Sequence, residues 1–508
     1  MAQSLKVAVI GAGVSGLAVA RELQREGHRV VVYETQNRLG GTWMYDPRVE
    51  TDPLGLDPNR EIVHSSIYFS LRTNTPRHLT GFSDYLFTSK QYGDSRNFPG
   101  HEEVLKFLDD FAKDFGLVEL IRFNTEVVRV ERVDSRNDEW VVESRTSGLS
   151  TEDIFEAVMV CSGHYTVPRL ANLSGIEKWP GKQVHSHNYR VPEPFQDQIV
   201  VVIGNGPSGY EISLEIATVA KEVHISSRSP NVKCSKLDNH ENMWQHSEVF
   251  LFFYFLIIIN NIYENGTVCF QDGAAICADI IMHCTGYNSR TNFHFHVLFS
   301  HRTRARTRVL TRFHRYNYDF PFLQTNGIVT VEDNRVGPLY KHVFPPQLAP
   351  RLCFVGLPSR AIRRNQNVLA HTIASLARRR RLPPSWLNAV PILFFAMAEL
   401  QSKWVARLLS GKAVLPSESE MLADVEVHYR NMKERQTPKH NTHLILPVDD
   451  QFEYLDWLAA QVELPPVDGR LKEISEEFFS ILMSPQRVGL REWDVDSFIR
   501  DGSRQFNV

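Results

Sequence analysis

The hydrophobic pattern of this chain makes one arrangement twice. Near the start, the apolar run Val7-Ala8-Val9-Ile10 predicts a buried strand. It leads into Gly11-Ala12-Gly13-Val14-Ser15-Gly16 and then Leu17-Ala18-Val19-Ala20-Arg21-Glu22-Leu23, whose apolar residues recur at helical spacing. Gly27 is placed to end that helix, and Arg29-Val30-Val31-Val32-Tyr33 predicts a second strand that stops at Glu34. Mid-chain the order recurs. Ile199-Val200-Val201-Val202-Ile203 predicts a strand, Gly204-Asn205-Gly206-Pro207-Ser208-Gly209 a turn, Tyr210 to Ala217 an amphipathic helix, and Glu222 to Ser226 a strand. Two further buried-strand patterns end in small residues, Val158-Met159-Val160-Cys161-Ser162-Gly163 and Ile280-Ile281-Met282-His283-Cys284-Thr285-Gly286.

A Gly-x-Gly-x-x-Gly turn between strand and helix has a physical purpose. The glycines let a pyrophosphate approach the backbone, and the helix N-terminus offers it unpaired N–H groups and a positive dipole end. One such loop is a weak signal. Two in context point to two bound dinucleotides and electron transfer between them. Glu34 stands about 20 residues beyond the first loop, where an acid binds ribose hydroxyls and repels a 2′-phosphate. That site suits FAD or NAD. The second site has Ser227-Arg228-Ser229 in the matching place. Ser227 and Arg228 there can hold the 2′-phosphate of NADPH by charge-assisted hydrogen bonds; the alternative is an arginine in a solvated loop. The expected fold class is α/β, with two Rossmann-type dinucleotide-binding domains and the NADPH domain inserted into the FAD domain. The expected boundaries are 1–164 for the first part of the FAD domain, 165–287 for the NADPH domain and 317–508 for the rest.

Composition removes other classes. The 508 residues allow two or three domains with large cores, and a net charge of −3 gives no reason to expect nucleic acid or an anionic membrane as partner. None of the six cysteines forms a Cys-x-x-Cys pair, which argues against structural zinc and a redox dithiol. No Ser-His-Asp or metal-ligand constellation stands out. The longest apolar run, Val249 to Ile259, is shorter than the roughly 20 residues of a membrane helix. Met1 to Lys6 run straight into the first strand and leave no room for a targeting peptide, so a cytoplasmic enzyme is expected.

Several segments resemble known families. Gly40-Gly41-Thr42-Trp43 resembles the Gly-Gly-x-Trp continuation of flavoprotein monooxygenases, which implies FAD at the first site, with Trp43 either walling the flavin ring or serving as core. Trp179-Pro180-Gly181-Lys182-Gln183-Val184-His185-Ser186-His187-Asn188-Tyr189 resembles the Phe-x-Gly-x-x-x-His-x-x-x-aromatic pattern of flavin-containing monooxygenases, with Trp179 in place of Phe. Baeyer–Villiger oxygenases carry Trp followed by Pro or Asp at the end of this pattern. Tyr189-Arg190 stands there instead and favours the heteroatom-oxygenating branch. The segments Ser65 to Arg77, Asp52 to Leu56, Gly81 to Tyr85 and Phe98 to His101 resemble the plant glucosinolate S-oxygenase-like subgroup.

The resemblance implies NADPH- and O2-dependent oxygenation of a soft nucleophile, a thioether sulfur before an amine, through a flavin C4a-hydroperoxide. N-oxygenation and the auxin-forming attack on a 2-oxo acid are the family alternatives. It places Gly11, Gly13, Val14, Ser15, Gly16, Glu34, Gly40, Gly41, Trp43, Asn74 and Val127 at FAD. It places Gly204, Asn205, Gly206, Pro207, Ser208, Gly209, Ser227 and Arg228 at NADPH. Asn74 is the expected catalytic residue at the flavin–nicotinamide junction, because a neutral amide can donate to a peroxide oxygen without protonating it.

Three stretches depart from the family pattern: 247–262, the arginine-rich 288–316, and 359–396 with Arg378-Arg379-Arg380-Arg381. Long unstructured insertions inside a compact domain are uncommon. They read as foreign sequence, such as a translated intervening sequence. On that reading, the rival to an active enzyme is a nucleotide-binding relative with impaired catalysis.

Overall fold

The structure, a computed structural model, describes residues 4–505 except 58, 135–136, 164–167, 169, 172, 174–175, 228–233, 238–239, 248–265, 286–317, 319, 359–392, 446–447 and 483–492. The chain divides into two compact units. The first holds Met1–Pro47, Ile67–His164 and Asp319–Val508, the second Arg48–Ser66 and Tyr165–Tyr318.

The first unit is built on a five-stranded sheet in the order Leu352–Phe354, Ala157–Val160, Lys6–Ile10, Arg29–Tyr33, Ile121–Arg122. Every pairing is parallel. Val7, Ala8 and Val9 are all fully buried, as a central parallel strand with both faces covered requires. The glycine-loop helix Val14–Arg25 is buried over most of its length and packs on the helix Phe394–Leu409. Gly27 ends it as expected. Its φ is +85°, its N–H bonds the Gln24 carbonyl at 3.0 Å, and the His28 N–H bonds the Leu23 carbonyl at 3.0 Å. A second sheet joins Thr125–Asp134, Asn137–Thr146 and Leu149–Phe155 antiparallel, with Leu323–Gln324 parallel at its edge.

The second unit is built on a six-stranded sheet in the order Lys182–His185, Ile280–His283, Ile199–Ile203, Glu222–Ser226, Met243–His246, Ser235–Lys236. Only the last pairing in that sheet is antiparallel. The helix Pro207–Ile216 follows its glycine loop.

One segment clusters with a different unit from the domain expected for it. Arg48–Ser66, expected in the first domain, belongs to the second unit by its bonds. The Glu50 N–H donates to Asn188 Oδ1 at 2.9 Å, His187 Nε2 lies 3.2 Å from Glu50 Oε1, and Arg190 Nη2 donates to the Ser65 carbonyl at 2.9 Å. The last residues of the third atypical stretch are built into the first unit. Leu393 and Phe395 are buried in the first core, and helix Phe394–Leu409 begins inside the expected insertion. Residues 248–262, 288–316 and 359–392 lie outside the described residues. Among the described residues, no helix is long and apolar enough to cross a membrane.

Candidate cofactor sites

In the first unit the loop after Lys6–Ile10 is held from several sides. The Gly11 N–H donates to the Tyr33 carbonyl at 2.8 Å, and at φ +102° a Cβ there would stand 2.6 Å from the Cys161 carbonyl oxygen. A Cβ on Gly16 would overlap the Gly11 carbonyl oxygen, so the helix can leave the loop at this distance only with glycine at that position. Gly13 is the N-cap of Val14–Arg25, and no side chain caps it. The first-turn N–H groups, those of Val14 and Ser15 among them, lack intrahelical partners by geometry.

A second glycine pair lies on the first. The Gly40 N–H donates to the Ala12 carbonyl at 3.0 Å, and a Cβ on Gly41 would lie 2.9 Å from the Gly13 Cα. The turn Gly41–Trp43 follows, with Trp43 half-buried against the core. Glu34 is buried, and both its oxygens bind backbone. Oε2 accepts the Ala12 N–H at 2.8 Å and Oε1 the Gln36 N–H at 2.9 Å. Oε1 also takes the Thr35 hydroxyl at 3.2 Å; a carboxylate has about four acceptor sites, so one, on Oε2, remains for a ribose hydroxyl. The Glu34 carbonyl accepts the Thr125 N–H at 2.9 Å, and the buried Val127 follows two residues later on the same strand.

Asn74 is exposed on a separate loop between the buried Thr73 and Pro76. The Thr73 N–H donates to the Pro99 carbonyl at 2.9 Å and the His101 N–H to the Leu71 carbonyl at 2.9 Å. His101 opens the helix His101–Asp114, and its ring lies 5.6 Å from that of Tyr45, two residues past Trp43. The Asn74 loop is thereby tied to the Gly41–Trp43 turn rather than directly to the first glycine loop.

Two participants were not singled out from sequence. Gly356, at φ +83°, follows the strand Leu352–Phe354, and a Cβ on it would collide with Ser15 Oγ. Its N–H donates to Oε1 of the fully buried Gln401 at 2.9 Å. Phe354-Val355-Gly356 is an apolar run closing on glycine, the same signal as the other strand ends.

The second unit repeats the cradle. The Gly204 N–H donates to the Ser226 carbonyl at 3.1 Å, and at φ +113° a Cβ would stand 2.5 Å from the Cys284 carbonyl oxygen. A Cβ on Gly209 would overlap the Gly204 carbonyl. Gly206 caps Pro207–Ile216 without a side-chain partner, Pro207 and Ser208 are exposed in its first turn, and a Cβ on Gly206 would meet nothing within 4 Å. Asn205 Oδ1 is buried with no donor among the described residues. Open space and an orphaned acceptor beside a helix N-terminus fit a bound phosphate and its sugar. Ser227 is buried, its N–H on the His246 carbonyl at 2.9 Å; Arg228 lies outside the described residues.

The two cysteines that close the cradles are matched. The Cys161 N–H donates to Ile10 at 2.9 Å and the Cys284 N–H to Ile203 at 3.0 Å. Burial pushes both thiols up, that of Cys284 to about 12, so they are neutral packing groups rather than nucleophiles.

Residues 4–263 match the family model described as flavin-binding monooxygenase-like. The chain is 46% identical over 99% of its length to the flavin-containing monooxygenase FMO GS-OX5 of Arabidopsis thaliana, covering 95% of that protein. It is similar in structure to the S-allyl-L-cysteine S-oxygenase of Allium sativum, with a TM-score of 0.80, 41% identity and 99% of each chain covered. Tmm from Pelagibacter sp. strain HTCC7211 shares the fold, with a TM-score of 0.68, 22% identity and coverage of 96% of this chain and 92% of that one.

Proposed function

The chain belongs to the flavin-binding monooxygenase-like family, is an NADPH-dependent flavin monooxygenase using FAD and NADPH, and groups with the plant GS-OX-like members; from that premise we propose that it transfers one oxygen atom of O2 to a thioether sulfur of a small molecule. The observation that carries this reading is the full-length likeness to an S-allyl-L-cysteine S-oxygenase, a protein named for an allyl thioether.

In this reading both glycine loops belong to Rossmann-type domains, the NADPH-binding one inserted into the FAD-binding one. Gly11, Gly13 and Gly16 take the FAD pyrophosphate, with Gly40, Gly41 and the first-turn N–H groups of Val14 and Ser15 around it. Glu34 keeps the loop in shape through Ala12 and gives its remaining lone pair to the ribose. Trp43 and Val127 border the flavin. Gly204, Gly206 and Gly209 take the NADPH pyrophosphate beside Asn205, Pro207 and Ser208, while Ser227 and Arg228 recognise the 2′-phosphate. When bound, the reduced flavin supplies the oxygen-activating chemistry and the nicotinamide the hydride. The chain's own task is to exclude water and orient the groups. Asn74 donates an amide hydrogen toward the reacting oxygen and, being neutral, delivers no proton to it.

The purified chain should be offered thioethers, amines and 2-oxo acids with NADPH and O2, with NADPH loss and product masses followed. The expected result is a sulfoxide, one oxygen heavier than its thioether. Products only from amines, or decarboxylation of 2-oxo acids, would replace this reading, and no NADPH oxidation would end it.

A further inference from the structure

The nucleotide cradles do not use a line of polar groups at the edge of the second unit's sheet. Glu222 and His224 stand on Glu222–Ser226, His246 ends the neighbouring strand Met243–His246, and Asp272 lies in the turn between Thr267–Cys269 and Ala275–Cys277. Glu222 Oε2 is 3.2 Å from His224 Nε2, His224 Nδ1 is 3.0 Å from His246 Nε2, and His246 Nδ1 is 3.3 Å from Asp272 Oδ2. Both imidazoles are buried. His224 stacks on Trp244 at 5.0 Å and His246 on Phe270 at 4.1 Å.

The line ends at a carboxylate that is fixed in place: Asp272 Oδ1 accepts the Ala274 N–H at 3.0 Å and Oδ2 the Ser247 N–H at 3.0 Å. His246 Nδ1 and Asp272 Oδ2 meet there at one corner. The Sγ of Cys234, on an exposed residue, completes it: ligand atoms of Cys234, His246 and Asp272 all lie within 4.8 Å of one another.

We propose that Cys234, His246 and Asp272 form a site for a thiophilic divalent transition cation of the zinc class, with water as the fourth ligand. Sulfur, nitrogen and oxygen donors in this number suit tetrahedral zinc. His224 and Glu222 then act as the outer partners that fix the His246 tautomer, the usual company of a ligating imidazole. Binding releases the proton of the Cys234 thiol.

The test uses the complete, flavin-loaded, tag-free chain, stripped with a chelator, equilibrated with zinc chloride and desalted. Mass spectrometry should count one zinc per chain, and X-ray absorption should show one sulfur among nitrogen and oxygen neighbours. Zinc should raise the melting temperature. Cys234→Ser changes an exposed residue, so the fold should persist. It should remove the sulfur signal and weaken binding by more than the roughly 10–100-fold that losing an outer partner costs. Asp272→Asn should abolish the zinc-dependent rise in melting temperature. Cys277→Ser, at the other exposed cysteine of the hairpin region, should change none of this. Absence of stoichiometric zinc, a spectrum without sulfur, or unchanged zinc binding in Cys234→Ser would overturn the proposal.

Discussion

Glu34 Oε2 accepts the Ala12 N–H at 2.8 Å. The acid expected to face a ribose therefore also holds the glycine loop to the end of the second strand. Glu34→Ala removes this bond and the one to Gln36 together. A hydrogen bond to a charged group contributes about 1.5–3 kcal/mol, so FAD should bind roughly 10–100-fold more weakly. The ratio of flavin to protein absorbance after dialysis measures it. Full flavin retention would remove Glu34 from the site.

Gly16 and Gly206 should fail in different ways. A Cβ on Gly16 overlaps the Gly11 carbonyl, whereas one on Gly206 meets nothing within 4 Å. Gly16→Ala should lower stability by about 1–3 kcal/mol, as overpacking does, and lose flavin. Gly206→Ala should melt as the parent does but need more NADPH, since the new methyl occupies space assigned to the pyrophosphate. Melting curves and NADPH saturation curves on both variants separate the two effects.

Asn74 is exposed on a loop whose neighbours are pinned at Pro99 and His101, so Asn74→Ala should fold normally. NADPH oxidation should continue while sulfoxide per NADPH falls and hydrogen peroxide rises. An unchanged ratio of product to NADPH would remove its proposed role.

Arg228→Ala should lose preference for NADPH over NADH by about 1.5–3 kcal/mol, roughly tenfold to a hundredfold. The ratio of kcat/KM for the two cofactors reads this directly. Ser227 should keep its position in the variant, because its N–H is held by the His246 carbonyl.

Stability should depend on His283 in acid. Its Nδ1 accepts the Ala171 N–H at 3.2 Å, and Nε2 lies 3.1 Å from Gln183 Oε1, a pattern that needs the neutral ring. Burial lowers its pKa from 6.5 to about 4. The unfolded chain therefore takes the proton first. The stabilisation is complete above about pH 6.5 and is lost as pH falls toward 4, about 3 kcal/mol in all. His283→Gln should melt at a temperature that varies less over this window than that of the parent. Parallel curves for the two proteins would contradict the assignment.

The strands and glycine turns were legible because a parallel strand buried on both faces is a continuous apolar run, and a tight turn before a helix leaves few residues other than glycine. Side-chain networks were not. Arg21 and Glu22 look like the polar face of the first helix. Instead Arg21 is buried, pairing with Glu22 at 2.7 Å and with Glu399 at 3.2 Å from far along the chain. Gln401 escaped notice for a similar reason, since its partner Gly356 is distant in sequence. The Glu50–His187 pair likewise moved Arg48–Ser66 into the second unit, a link that no local pattern announces. The Cys234–His246–Asp272 corner draws its members from three separate elements and has no motif spacing.

The strand Leu352–Phe354 has a consequence for biogenesis. It flanks Ala157–Val160 in the first sheet, and the Gly356 that follows reaches Ser15 in the first glycine loop. During synthesis the early strands must therefore wait, with the edge of Ala157–Val160 unpaired, until nearly two hundred further residues have left the ribosome. Nascent chains with such an open edge invite mispairing. Translation stalled before residue 352 should yield a fragment that a chaperone must shield.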